Sequence, residues 1–289
     1  MPTPERFANS FQGTSLVLLG HGSTVNADSA APVYDHAEAL RKLGVFESVV
    51  EGFWKQEPNL AGVLRGVFSK RTVIVPLFIS DGYFTEEVIP RELGFAQKST
   101  ASYERIMERD GQTFFYSSPV GTHPAMTEVL LARATDIVRQ FPFPRTPSPS
   151  ETALFIAGHG TGNNENSRKA IEAQVDLFRA MNQYREVHPA FMEEEPRIEN
   201  IYAMTSARYV VVVPFFISDG LHSFEDIPVL LGESAAVVRK RLLAKQPTWR
   251  NPSEKHGKLV WYTRSVGQSE KMTEVILERA KEALQFSVA

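Results

Sequence analysis

The stretch Leu16–Ala30, LVLLGHGSTVNADSA, ends a hydrophobic run at a histidine between two glycines, and Leu154–Arg168, LFIAGHGTGNNENSR, does so again. A short apolar run bounded by glycine reads as a buried strand. His21 and His159 then lie just past the carboxyl end of a strand, where glycines let the backbone turn sharply beside a ligand. A single Gly-His-Gly is more often a structural turn than a ligand site, so its weight depends on what surrounds it.

The two copies belong to a longer repeat. His159 minus His21 is 138, and Pro196 minus Pro58, Pro214 minus Pro76 and Gly232 minus Gly94 are also 138. Between 72–94 and 210–232, 13 of 23 positions are identical. Near the end, VGTHPAMTEVLLARA matches VGQSEKMTEVILERA at an offset of 146, which puts eight extra residues around QPTWRNPSEKHGK. Strands are predicted near 15–20, 46–53, 72–79 and 112–117, then near 152–157, 186–191, 208–217 and 258–263. Helices fit between and after them near 30–43, 58–69, 84–98 and 123–140, then near 165–183, 196–206, 224–245 and 269–286. Strands alternating with helix-length segments imply βαβ units. The expected fold class is therefore α/β, two tandem domains, each with a mainly parallel four-stranded sheet flanked by helices. The first repeat is 1–140, a proline-rich spacer covers 141–150, and the second repeat, 151–289, is the expected catalytic half.

Bulk composition narrows the chemistry. The 31 Lys plus Arg against 34 Asp plus Glu leave a net charge of -3, which argues against nucleic acid as a partner. With no cysteine, disulfides, thiolate metal sites and a Cys nucleophile are excluded, and any metal must be held by His, Asp or Glu. No apolar run approaches the roughly 20 residues that span a bilayer, so no membrane partner and a cytoplasmic location are expected.

Other loops at the same sheet edge add to the histidines. The third strand of the second half runs into PFFISDGLHSFEDIP, which brings His222 beyond the strand end, and FMEEEP brings Glu193 there. The first half has Phe84 and Lys55 at the matching places. Only the second half thus offers His159, Glu193 and His222, two imidazoles and a carboxylate that would leave positions open on a divalent ion. A solvated glutamate loop and a hydrogen-bonded turn histidine remain the alternative at this stage. His36, His123, His188 and His256 are read as structural.

Together, the repeated GHG, FMEEEP and the segment G-x-H-x-x-x-D-I-P at Gly220–Pro228 resemble the class II chelatases of the sirohydrochlorin cobaltochelatase and ferrochelatase type. The resemblance covers most of the chain as two tandem copies. It implies Rossmann-like lobes with a tetrapyrrole in the cleft between them and a divalent metal inserted without a nucleotide, in cobalamin or siroheme biosynthesis. It also implies that His159 and His222 are catalytic metal ligands, with Glu193 as a metal-side carboxylate. The implied metal is Co²⁺ or Fe²⁺, with Ni²⁺ or Zn²⁺ accepted in vitro, and no further cofactor. His21 matches the first motif, and Phe84 departs from the second.

The chemistry fits these residue types. Metallating a tetrapyrrole removes two pyrrole protons while a partly desolvated metal approaches the ring, so weak nitrogen and oxygen ligands and a proton acceptor are needed. The flat macrocycle suits an apolar slot, to which Phe84, Phe215 and Phe224 are assigned. Its peripheral carboxylates suit Ser23, Asn26, Thr161 and Arg168, with Asn163 and Asn164 as further capping or anion-binding candidates. Histidine phosphatases also carry a histidine after the first strand, but with arginine before it, where this chain has Gly20 and Gly158. A non-catalytic tetrapyrrole or metal carrier of the same fold is the other reading. Both lobes lie in one chain, so a monomer or a homodimer is compatible with function.

Overall fold

Thr14–Gly20 (β1) and Thr152–Gly158 (β6) are buried at all seven positions, as expected of central parallel strands covered on both faces. They belong to a computed structural model that describes residues 6–7, 9–24, 29–96, 103–160 and 165–287. After β1 come α1 (Ala31–Leu43), β2 (Val49–Phe53), α2 (Leu60–Val63), β3 (Arg71–Pro76), α3 (Ile89–Leu93), β4 (Ile106–Arg109), β5 (Gln112–Tyr116) and α4 (Met126–Gln140). After β6 come α5 (Asn166–Met181), β7 (Glu186–Phe191), α6 (Ile201–Met204), β8 (Tyr209–Pro214), α7 (Ile227–Leu230), α8 (Ala235–Leu243), β9 (Ser253–Lys255), β10 (Lys258–Tyr262) and α9 (Met272–Ala283). Among the described residues no helix is long and apolar enough to cross a membrane.

The sheet orders are β2-β1-β3-β5-β4 and β7-β6-β8-β10-β9. Four strands of each sheet are parallel, and β4 and β9 add an antiparallel fifth at the edge, one more than expected. The reason is two tight hairpins. Asp110 and Gly111 have φ of 54° and 75°, and His256 and Gly257 have 51° and 73°, so each pair turns the chain back on itself. The predicted helices at 84–98 and 224–245 are also broken. A π-helical turn, Phe84–Val88 or His222–Asp226, precedes a short α-helix in each, and Gly94 and Gly232, at φ of 90° and 92°, follow.

The compact units differ from the sequence repeats. One contains 1–125 and 270–289, the other 126–269. Thus α4 packs on β8, β10 and α5, while α9 packs on β3 and α1. Each repeat gives its last helix to the other's sheet. The segment 141–150 is not a free spacer: Trp261 Nε1 donates to Phe141 O at 2.9 Å, and Arg185 N–H donates to Pro149 O at 3.1 Å, tying it to the second unit.

Within each unit, the chain leaves the central strand to a neighbour on one side and returns to a strand on the other. Such a reversal opens a crevice beyond the carboxyl ends of the two diverging strands. Those strands are β1 and β3 in one unit, β6 and β8 in the other. The segments that follow them carry His21 and Phe84, and His159 and His222.

Candidate functional site

The glycines flanking each histidine are required by space and by backbone. A Cβ on Gly158 would lie 2.1 Å from Ile171 Cδ1, and one on Gly20 would lie 2.6 Å from Val33 Cγ2, so the strand end passes directly over the next helix. Gly22 and Gly160 have φ of 66° and 68°, which favours glycine. The turn they make folds each imidazole against the next carbonyl. His159 Nδ1 lies 2.8 Å from Gly160 O, and His21 Nδ1 lies 2.9 Å from Gly22 O. A carbonyl oxygen only accepts, so Nδ1 is the donor, and in the uncharged ring Nε2 carries the lone pair.

His222 begins its π-helical turn and lies 2.7 Å from Asp226 through Nδ1 and Oδ2. That carboxylate likewise accepts a hydrogen bond from Nδ1–H and leaves Nε2 available. The rings of His159 and His222 meet edge to face, with centroids 4.9 Å apart and planes at 85°. The side chains are 35% and 49% exposed, open to an incoming ion.

Glu193 joins this pair less closely. Its N–H donates to His159 O at 3.0 Å, while its carboxylate lies 3.6 Å from His159 Nδ1, the nitrogen already bonded to Gly160 O. Among the described residues no group of three His, Asp or Glu side chains is arranged to hold a metal. The structure therefore brings the two histidines together and leaves the carboxylate, 59% exposed, at their margin.

The first unit repeats the backbone with other chemistry. Phe84 meets His21 edge-on at 4.9 Å and 81°, and Phe78, Trp54 and Tyr83 pack around Phe84 at 6.2, 6.3 and 5.7 Å. Lys55 N–H donates to His21 O at 2.9 Å, as Glu193 does to His159 O. A phenyl ring has no lone pair and a lysine repels a cation.

Comparison with known proteins agrees with the tandem repeat. The model of the CbiX family matches residues 15–137 and again 153–283. The chain belongs to the CbiX family. A CbiX relative described as a probable sirohydrochlorin cobaltochelatase, from Halobacterium salinarum, is 38% identical over 279 residues, 93% of this chain and 91% of its own. A multi-domain Deinococcus radiodurans protein, described as structurally similar to chelatases with two additional domains, superposes with a TM-score of 0.73 at 29% identity. The alignment covers 92% of this chain but 54% of that longer one. The fold is also that of SirB from Bacillus subtilis with Fe³⁺, at a TM-score of 0.65 and 16% identity, covering 94% and 96% of the two chains.

Other expected residues of this CbiX chain take different places. Arg168 Nε donates to Glu172 at 2.8 Å, and its Nη1 donates to Glu194 Oε2 at 3.2 Å and Glu195 O at 3.0 Å. It braces the loop that carries Glu193. Ser23 N–H donates to Gln56 Oε1 at 3.0 Å. Phe215 is 1% exposed and belongs to the core, so it cannot line a slot, whereas Phe224 is half-buried. Asn26, Thr161, Asn163 and Asn164 lie outside the described residues. His123 Nδ1 accepts from Ala125 N–H at 3.0 Å, a structural role as expected. The sequence reading missed Asp226, although its position four residues after His222 on a helical turn is a usable signal.

Proposed function

We propose that this chain inserts a divalent metal, Co²⁺ or Fe²⁺, into a sirohydrochlorin-like tetrapyrrole, with the second unit handling the metal. The observation that carries this reading is the pair His159 and His222, each donating from Nδ1 and leaving Nε2 available. Family membership and the printed activity of the 38%-identical relative support it.

Two imidazoles are an incomplete shell for a first-row ion. They bind it without enclosing it, so it can pass to four pyrrole nitrogens. The two pyrrole protons need acceptors, and an uncharged imidazole is one near neutral pH. Glu193 is exposed enough to swing toward the ion as an oxygen ligand. Ni²⁺ and Zn²⁺ suit the same donor set by the general affinity order.

The test is an absorbance time course of sirohydrochlorin with Co²⁺ or Fe²⁺ for native protein, His159→Ala and His222→Ala. Acceleration lost in both variants is the expected result. Normal turnover in His222→Ala would remove the metal station from the second unit. A shifted spectrum with no acceleration would replace the enzyme reading with a carrier.

A further inference from the structure

Asp219, in the loop between β8 and His222, is 1% exposed. Its Oδ1 accepts from Ser265 N–H at 2.8 Å, and its Oδ2 accepts from Arg264 Nε at 2.9 Å. Four residues on, the Ser223 and Ser265 hydroxyls lie 2.8 Å apart, both buried. The segment following β10 is therefore tied at two points to the loop that carries His222. Arg264 lies beside this station, with a side chain 61% exposed.

Arg264 is held by its stem. Nε is taken by a buried carboxylate, and among the described residues neither Nη group makes a hydrogen bond. The planar fork is thus preoriented with two donors outward, an arrangement that matches a carboxylate and lowers the entropy lost on binding one.

Comparison with the first unit points the same way. Arg133 of α4 is close enough to Asp219, Asp136 and Arg264 to interact electrostatically with all three, and its Nε and Nη2 are buried without a hydrogen-bond partner. Only Asp219 of these acids is hydrogen-bonded to Arg264, through Nε. In the first unit, 264 minus 146 gives Ser118 in place of Arg264. Asp81 there faces Glu86 as well as Arg105 and Arg279. The outward-facing guanidinium therefore belongs only to the unit that has both histidines.

We propose that Arg264 binds a peripheral carboxylate of the tetrapyrrole on its two Nη groups, beside His222, with Asp219 as its positioning residue. The identity of the ligand rests on the chelatase reading above. The residue would set where the macrocycle lies relative to the metal-handling imidazoles without itself touching the metal.

The experiment measures initial rates against sirohydrochlorin concentration at saturating Co²⁺, together with absorbance titrations of metal-free sirohydrochlorin, for native protein, Arg264→Gln and Arg264→Lys. Losing one charge-assisted contact should raise KM and Kd about tenfold in Arg264→Gln while kcat changes less than about twofold. Arg264→Lys, which keeps the charge but loses the fork, should fall between. Asp219→Asn should raise KM in the native background and add nothing to Arg264→Gln. If KM and Kd of Arg264→Gln stay within about twofold of native, or kcat alone falls, the proposal is overturned. The titration keeps the two readings apart. Native protein that binds the macrocycle without metallating it sinks the chelatase reading and leaves Arg264 to be judged on Kd, while native protein that does not bind it sinks both.

Discussion

His222 stands edge-on to His159 with ring centroids 4.9 Å apart and planes at 85°, and Phe84 stands to His21 in the same way at 4.9 Å and 81°. The duplicated backbone thus holds the same ring geometry in both units. What differs is whether the second ring has a lone pair, and whether the neighbouring loop offers Glu193 or Lys55.

This comparison predicts the outcome of restoring the histidine. Phe84→His should leave Co²⁺ stoichiometry by calorimetry at one per chain, because Lys55 keeps a cation near the rebuilt imidazole pair. Phe84→His with Lys55→Glu should acquire a second, weaker site. Two equivalents bound by Phe84→His alone would show that Lys55 has no influence.

Asp226 orients His222 through the 2.7 Å contact to Nδ1. Asp226→Asn should lower Co²⁺ affinity by roughly 10- to 100-fold, the usual cost of losing a carboxylate behind a ligating imidazole. The unfolding midpoint should hardly move, since both side chains are partly exposed. Native-like metal affinity would mean the carboxylate does not orient the ring.

Gly160→Ala tests the turn itself. At φ of 68°, its Cβ would lie 2.7 Å from Glu194 Cγ and 2.9 Å from Phe191 Cβ. A cost of about 1–3 kcal/mol in urea unfolding is expected from the strained backbone and the clash. Gly66→Ala, where a Cβ meets nothing within 4 Å, is the control and should cost little.

His123 gives a pH dependence. Burial is the largest cause that holds its imidazole below the ordinary value of 6.5, assisted by the Arg279 charge and opposed by Glu282 and Glu278. Below that value the unfolded chain takes up a proton that the folded chain refuses, so this residue reduces stability as pH falls below about 6.5. Urea midpoints from pH 7.5 to 5.5 should decline less steeply in His123→Gln than in native protein. Equal slopes would assign the acid sensitivity elsewhere.

The α/β class, the duplication and the strand-end positions of His21, His159 and His222 were legible in sequence, because β1 and β6 are buried on both faces and read as unbroken apolar runs ending at glycine. The edge strands were less legible because β4 and β9 span only four and three residues and none of those is fully buried. Their signal was in the turns, Asp110-Gly111 and His256-Gly257. Arg168 was expected to face the ligand on its position alone, and the structure engages it with Glu172, Glu194 and the Glu195 carbonyl.

By itself, then, the sequence determined what is local: period, repeat, glycines where a Cβ does not fit, and which residue types follow each central strand. Tertiary structure alone decided which sheet each closing helix covers. The helices MTEVLLARA and MTEVILERA bury nearly the same face, Met126, Val129, Leu130 and Ala134 in one and Met272, Val275, Ile276 and Ala280 in the other. An amphipathic face specifies that a helix is buried but not against which partner. The same limit held at the site, where ring nitrogens and guanidinium forks acquire direction only from contacts distant in the chain, such as Asp219 with Arg264.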